Sequence, residues 1–165
     1  MNRLQILLLF ALIMTLTGCS TGACYDNQNS LPKAGFYSAE TGEAVSISGV
    51  AIGGVGAPND SLLCEASETA SEVYLPFRPN EETTSFAFRS GGIADIVTFN
   101  YETRPYFASA DCGAVWGFRI KEVSWRGALI DSVAVIDSLI TNVDAQQLKI
   151  FVNAPEPEED PEEEE

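Results

Sequence analysis

Apolar and polar residues alternate one for one in Ala44-Val45-Ser46-Ile47-Ser48, in Ser85-Phe86-Ala87-Phe88-Arg89 and in Val97-Thr98-Phe99-Asn100-Tyr101. Successive side chains of an extended chain point to opposite faces, so this pattern buries one face of a strand and wets the other. Ala34 to Ser38, Val73 to Phe77, Val115 to Glu122, Asp131 to Ile136 and Leu148 to Val152 are further strand candidates. Turn chemistry separates them: Thr41-Gly42, the loop from Gly53 to Asp60, Arg78-Pro79-Asn80, Gly91-Gly92 and Asp111-Cys112-Gly113. No stretch carries a long capped helical pattern, and Asn142 to Gln147 is expected to form one helical turn. About eight short strands predict an all-β fold, a single antiparallel β-sandwich, with a small closed barrel as the alternative.

The same parity assigns the core: Phe36, Val45, Ile47, Val73, Leu75, Phe77, Phe86, Phe88, Val97, Phe99, Trp116, Phe118, Ile120, Val133, Val135, Ile150 and Val152. Pro76 and Pro105 have no amide hydrogen to give a ladder, so their strands are expected at sheet edges or to end there.

Residues 1–18 differ from everything after them, with Arg3 ahead of an apolar run from Leu4 to Leu16 broken only by Gln5 and Thr15. This reads as a signal-peptide core, shorter than the roughly 20 residues of a permanent membrane helix. It ends in Leu16-Thr17-Gly18-Cys19, which resembles the lipobox of bacterial lipoproteins. Small residues before the cut suit a narrow peptidase subsite, and the Cys19 thiol is the nucleophile that takes up a diacylglyceryl group. Each buried methylene contributes about 0.8 kcal/mol, and two or more chains suffice for stable anchoring. The expected division is a signal peptide at 1–18, a lipidated tether at 19–33, a β-sandwich at 34–153 and an acidic tail at 154–165. The expected partner of Cys19 is thus a membrane.

Acidic residues outnumber basic ones 24 to 9, which argues against nucleic acid, whose binders need basic stripes. Eight of the 24 carboxylates fall within the last ten residues. Such a run has no apolar surface to offset its ordering entropy and is expected to stay disordered and solvated.

The chain has no histidine, which removes Ser-His-Asp and Cys-His catalysis and the usual zinc ligand sets. Lys121 and Lys149 stand in no serine-activating motif, and Glu81 and Glu82 are adjacent, so on a strand they would point to opposite faces. Asp26-Asn27-Gln28-Asn29-Ser30 begins like a calcium loop, but Leu31 stands where an EF-hand needs Gly and Tyr37 where it needs Glu. Gly53-Gly54-Val55-Gly56 lacks the Lys-Ser/Thr ending of a phosphate loop. No catalytic residue, metal or cofactor is therefore assigned.

Beyond Cys19 the thiols are Cys24, Cys64 and Cys112, an odd number with no Cys-x-x-Cys unit; one pair can form, in three ways. Cys24 and Cys112 lie in polar, turn-rich surroundings, whereas Cys64 follows Leu62-Leu63 in an apolar strand. The expected bridge is Cys24 to Cys112, leaving Cys64 as a buried free thiol that acts as a small hydrophobe.

The motifs Cys24-Tyr25-Asp26-Asn27-Gln28-Asn29, Leu31-Pro32, Gly35-Phe36-Tyr37, Gly56-Ala57-Pro58-Asn59-Asp60-Ser61-Leu62, Val73-Tyr74-Leu75-Pro76, Asp111-Cys112-Gly113-Ala114 and Leu129-Ile130-Asp131-Ser132 are similar to those of a family of Bacteroidetes lipoproteins classed as a domain of unknown function. The resemblance covers nearly the whole mature domain and implies a small all-β envelope protein. It agrees with the Cys24 to Cys112 bridge, and it brings no activity or substrate. Cys64, where an aliphatic residue is usual, and the acidic tail depart from it.

Surface-exported lipoproteins of such bacteria carry acid just after the lipidated Cys, whereas this chain has Ser20-Thr21-Gly22-Ala23. The resemblance therefore implies an outer-membrane anchor with the domain facing the periplasm. Asp60-Ser61-Leu62, Asp131-Ser132-Val133 and Asp137-Ser138-Leu139 resemble the O-glycosylation acceptor triplet of those organisms, and Ser61, beside the Gly-rich loop, is the foremost candidate.

The expected function is a non-enzymatic envelope module that binds a protein or glycan through a sandwich edge or an aromatic loop surface around Tyr101 to Phe107. The alternative is a small-ligand carrier or hydrolase whose apolar pocket is lined by Trp116, Phe118 and Trp125.

Overall fold

The computed structural model describes residues 30–109 and 113–153. The described residues form ten strands: β1 (Lys33–Ser38), β2 (Ala51–Gly54), β3 (Leu62–Cys64), β4 (Glu72–Tyr74), β5 (Thr83–Ser90), β6 (Ile93–Ser109), β7 (Gly113–Arg126), β8 (Ile130–Val135), β9 (Leu139–Ile140) and β10 (Gln146–Val152). They form two sheets, ordered β4-β1-β10-β8 and β3-β2-β5-β6-β7-β9. The fold is an all-β sandwich, as the alternation predicts.

The pairing is antiparallel except at the middle of the four-stranded sheet, where β1 and β10 run parallel. There Phe36 pairs with Ile150 and Ala34 with Leu148, all four at 1% exposure or less. Two such apolar strands need cover on both flanks, which β4 and β8 supply.

Between the sheets lie Phe36, Ile52, Leu75, Phe86, Phe88, Val97, Phe99, Tyr101, Ile140, Leu148 and Ile150. Phe77 knits the aromatic part, stacked on Tyr101 at 4.4 Å and edge-on to Phe118 at 5.5 Å. Such pairs contribute about 0.5–1.5 kcal/mol beyond their area. The Tyr101 hydroxyl donates to the Arg78 carbonyl at 2.9 Å, accepts from the Arg78 amide at 3.1 Å, and meets the Thr84 hydroxyl at 2.7 Å.

Several local expectations are corrected. Ala44 to Ser48 forms no strand; the segment makes only single bridges, Tyr37 to Ala44 and Ile47 to Ala70, with Val45 and Ile47 half-buried at the margin of the core. The Gly53 to Asp60 loop begins later than expected, because Gly53 and Gly54 belong to β2. Asn142 to Gln147 makes no helical turn: Gln146 opens β10, and Gln147 is an extra residue beside the Lys33 pairing. The Gln147 side chain is buried, its Oε1 accepting the Lys33 amide at 2.9 Å in place of a ladder bond. Tyr101 to Phe107 is not a loop but the continuation of β6. Trp116 and Val135, assigned to the core, are 52% and 38% exposed.

Candidate functional site

The feature that sets this sandwich apart is the far half of the β6–β7 pair. β5 accompanies β6 only as far as Asn100, and β9 accompanies β7 only at Phe118 and Arg119. Beyond those points Glu102 to Ser109 and Gly113 to Gly117 pair only with each other among the described strands. Pro105, opposite Trp116, therefore sits on a free edge, where its missing amide costs nothing to a neighbouring strand.

The two faces of this ribbon carry different chemistry. Tyr101, Thr103, Pro105 and Phe107 alternate onto the face that also bears Phe118, Trp116 and Ala114, which is the core side of the sheet. Burial ends along it: Tyr101 is 2% exposed and Phe118 3%, but Trp116 is 52% and Phe107 71% exposed. Parity thus points Trp116 inward, yet the opposite sheet stops short of it.

The outer face bears Glu102, Arg104 and Arg119, followed by Lys121, the extra residue of a bulge at the Asn100/Tyr101 step. Arg104 bonds Glu102 at 2.8 Å and Lys121 lies 3.9 Å from the same carboxylate. The hydrogen bond from Arg104, with the charges of Arg104, Lys121 and Arg119, holds the Glu102 carboxyl below its ordinary value. Gly117 makes room for the Tyr106 ring, which would stand 2.9 Å from any Cβ there. The Tyr106 hydroxyl in turn donates to Asn142 Oδ1 at 2.7 Å and accepts from the Asn142 amide at 2.6 Å, fixing the outer half of the ribbon to the turn before β10.

Ser30, the first described residue, is buried and its hydroxyl donates to the Trp116 carbonyl. The chain therefore joins the domain at the ribbon. Cys19, Cys24 and Cys112 lie outside the described residues. In sequence Cys24 precedes Ser30 by six residues and Cys112 precedes Trp116 by four.

Cys64 closes β3 opposite Ile52 and is 7% exposed. Burial, then the Glu68 carboxylate, pushes its thiol above the ordinary value, so the neutral form prevails. Ser61 is exposed and follows a single 3₁₀ turn, Pro58–Asp60, in which Asn59 and Asp60 take left-handed φ of 55° and 49°. Ser132 and Ser138 are half-buried, the former within β8.

The aromatics named for a ligand pocket do not converge. Phe118 is in the core, Trp116 on the ribbon, and Trp125 donates its indole N–H to the Asp131 carbonyl at 2.8 Å. Trp125 lines a groove of about 420 Å³ on the six-stranded sheet with Ser85, Thr98, Ser124 and Arg126. At the other end of the sandwich, Val45, Ile47, Val50, Leu129 and Val152 line a cleft of about 270 Å³ rimmed by serines, below the roughly 300–1,000 Å³ of most small-molecule sites. No cluster of three or more Cys, Asp or Glu in metal-binding proximity occurs among the described residues.

The sequence pointed to Tyr101 to Phe107 as an aromatic surface and to Pro105 as a limit on pairing, but it gave a loop where β6 continues and assigned the facing Trp116 to the core. Comparison with curated proteins and with solved structures finds no match. Residues 45–152, from the strap after β1 to the end of β10, match the Family of unknown function DUF6452, and the chain belongs to that family.

Proposed function

We propose that this chain is a lipid-anchored module of a bacterial envelope, acylated at Cys19 and held on the outer membrane with its domain facing the periplasm. It acts by binding or by building structure and carries out no catalysis. The observation that carries the reading is Leu16-Thr17-Gly18-Cys19 at the end of an apolar run of signal-peptide length. Labelling with an alkyne fatty acid tests it: label on the wild-type chain and none on Cys19→Ser is expected. Equal labelling of the two would overturn the anchor, and protease shaving of intact cells that released the domain would overturn its orientation.

Cys24 and Cys112 form a disulfide that pins the tether to the ribbon. The bond from Ser30 to the Trp116 carbonyl supports it, because both cysteines lie a short run of chain from that contact. Six extended residues reach about 20 Å and four about 13 Å, so the chain lengths suffice. By chain entropy such a bridge contributes up to about 4.5 kcal/mol. Peptide mapping without reduction is expected to show the Cys24 to Cys112 link, and Cys64 in the bridged peptide would refute it. Ser61, exposed beside its turn, is the O-glycan acceptor, a mass addition expected to vanish in Ser61→Ala.

A further inference from the structure

Phe107 at 71%, Val143 at 64% and Trp116 at 52% are among the five most exposed large apolar side chains of the described residues, with Ile93 and Ile136 at 54%. Phe107 and Trp116 are diagonal neighbours on one face of the ribbon, whereas Val143 lies next to Asn142, which Tyr106 holds from the other face. Two exposed aromatics side by side suit an occupant with an apolar layer.

We propose that the ribbon is a membrane-contact element. Phe107 and Trp116 enter the headgroup region of an anionic phospholipid surface, and Arg104, Arg119 and Lys121 meet its phosphates. This rests on the lipid-anchor reading given above.

Three independent features point to lipid as the occupant. The first is the route of the chain. Ser30 is fixed at Trp116 and stands eleven positions after Cys19. Fully extended, eleven residues span at most about 40 Å, so an anchored domain keeps its ribbon within that distance of the bilayer.

The second is charge. Arg104, Arg119 and Lys121 gather round the Glu102 carboxylate, with Glu122 next along the same face, and leave a net positive flank on an otherwise acidic protein. Arg104 stands three residues behind Phe107, and Arg119 three residues behind Trp116. Three residues of strand span about 10 Å, which sets the cations near phosphate depth when the aromatic tip reaches the acyl boundary. Indole and phenyl rings favour that interface.

The third is polarity. β1 and β10 are parallel, so the start of β1, near the ribbon, and Val152, after which the acidic tail departs, lie at opposite ends of the sheet. The eight tail carboxylates therefore leave from the end remote from the anionic surface.

The test uses the two tryptophans as depth reporters. The mature protein, isolated from membranes, is reconstituted into phosphatidylethanolamine/phosphatidylglycerol vesicles containing lipids brominated high on their acyl chains. In Trp125→Phe, which leaves Trp116, bromolipid is expected to reduce emission roughly twofold, as for an interfacial indole. In Trp116→Phe, which leaves Trp125, emission is expected to stay unchanged. Replacing Arg104, Arg119 and Lys121 together by Gln is expected to weaken the quenching of Trp116.

Unquenched Trp116 overturns the proposal, whether it is open to aqueous acrylamide or shielded from it by a second copy or a protein partner. Equal quenching of both indoles also overturns it, since the whole domain would then lie on lipid. The acyl mass on Cys19 is read separately: its absence refutes the anchor, while quenching of Trp116 on adding that chain to vesicles still decides the ribbon.

Discussion

Asp95 is wholly buried, yet it is a carboxylate on β6. Its Oδ1 accepts the Ala128 amide at 3.1 Å and its Oδ2 the Ile130 amide at 2.7 Å. Those amides belong to the corner where the chain leaves β7 in one sheet and starts β8 in the other. Gly127 turns that corner at φ 138°, and a Cβ there would lie 1.9 Å from the Asp95 carboxyl. Hydrogen bonds to a charged group contribute about 1.5–3 kcal/mol each, and an unpaired buried amide costs about 1–3 kcal/mol. Asp95→Ala is therefore expected to cost about 3–6 kcal/mol, a large part of a typical stability of 5–15 kcal/mol. Asp95→Asn keeps the shape but turns an N–H toward an N–H, for about 2–3 kcal/mol. Gly127→Ala adds the clash to a strained φ, and removing the carboxylate relieves only the clash, so the two sites couple by about 1–3 kcal/mol. Urea unfolding followed by tryptophan emission measures all four corners of the cycle. A loss below about 0.5 kcal/mol in Asp95→Asn, or a cycle additive within that margin, would refute the clamp.

Removing the Tyr101 hydroxyl in Tyr101→Phe leaves the Arg78 amide and the Thr84 hydroxyl short of a partner and is expected to cost about 1–3 kcal/mol in the same unfolding assay. Phe99→Ala, at 0% exposure in the core, is expected to cost about 3–5 kcal/mol, whereas Phe107→Ala, free of packing on the ribbon, should change stability in solution by less than about 0.5 kcal/mol. Glu102, whose folded pKa is lowered chiefly by Arg104, is expected to titrate below a free glutamate in a carbon-detected NMR series, with Arg104→Gln moving the midpoint up. The sign follows: its contribution is present above the unfolded value and is lost as pH falls through the folded one. Cys64 is expected to resist iodoacetamide until urea unfolds the domain, and its raised pKa means stability falls as pH climbs past the unfolded thiol value of about 8.5.

Alternation revealed the sheets because most strands here have one wet face, and Phe86, Phe88, Val97 and Phe99 are buried as their parity requires. Parity failed where a strand gained a residue. At Lys121 the inward set changes from Phe118 and Ile120 to Val123, and at Asp131 from Ile130 to Val133. A bulge flips every side chain beyond it, and no local pattern announces one. The parallel pairing of β1 with β10 joins residues more than a hundred positions apart, a relation that periodicity cannot carry.

Trp116 shows how the same limit hid the β7 side of the candidate site, whose β6 side, Tyr101 to Phe107, the sequence had marked as an aromatic surface. Its parity is that of Phe118, so an inward side chain is the correct inference for the strand taken alone. Whether inward means buried depends on the length of the facing sheet, and that sheet has ended by the level where β6 and β7 continue as a bare pair. Extending only two of ten strands exposes what would otherwise be core, and in one step it makes an aromatic tip, a cationic flank and a landing point for Ser30. Shortening the ribbon by deleting Arg104 to Phe107 together with Ala114 to Gly117 should therefore leave the Phe77, Phe99 and Tyr101 cluster packed, with Trp125, the tryptophan that remains, reporting a cooperative urea transition. If the shortened domain instead lost its cooperative unfolding transition, the ribbon would be part of the core it extends and not a surface built upon it.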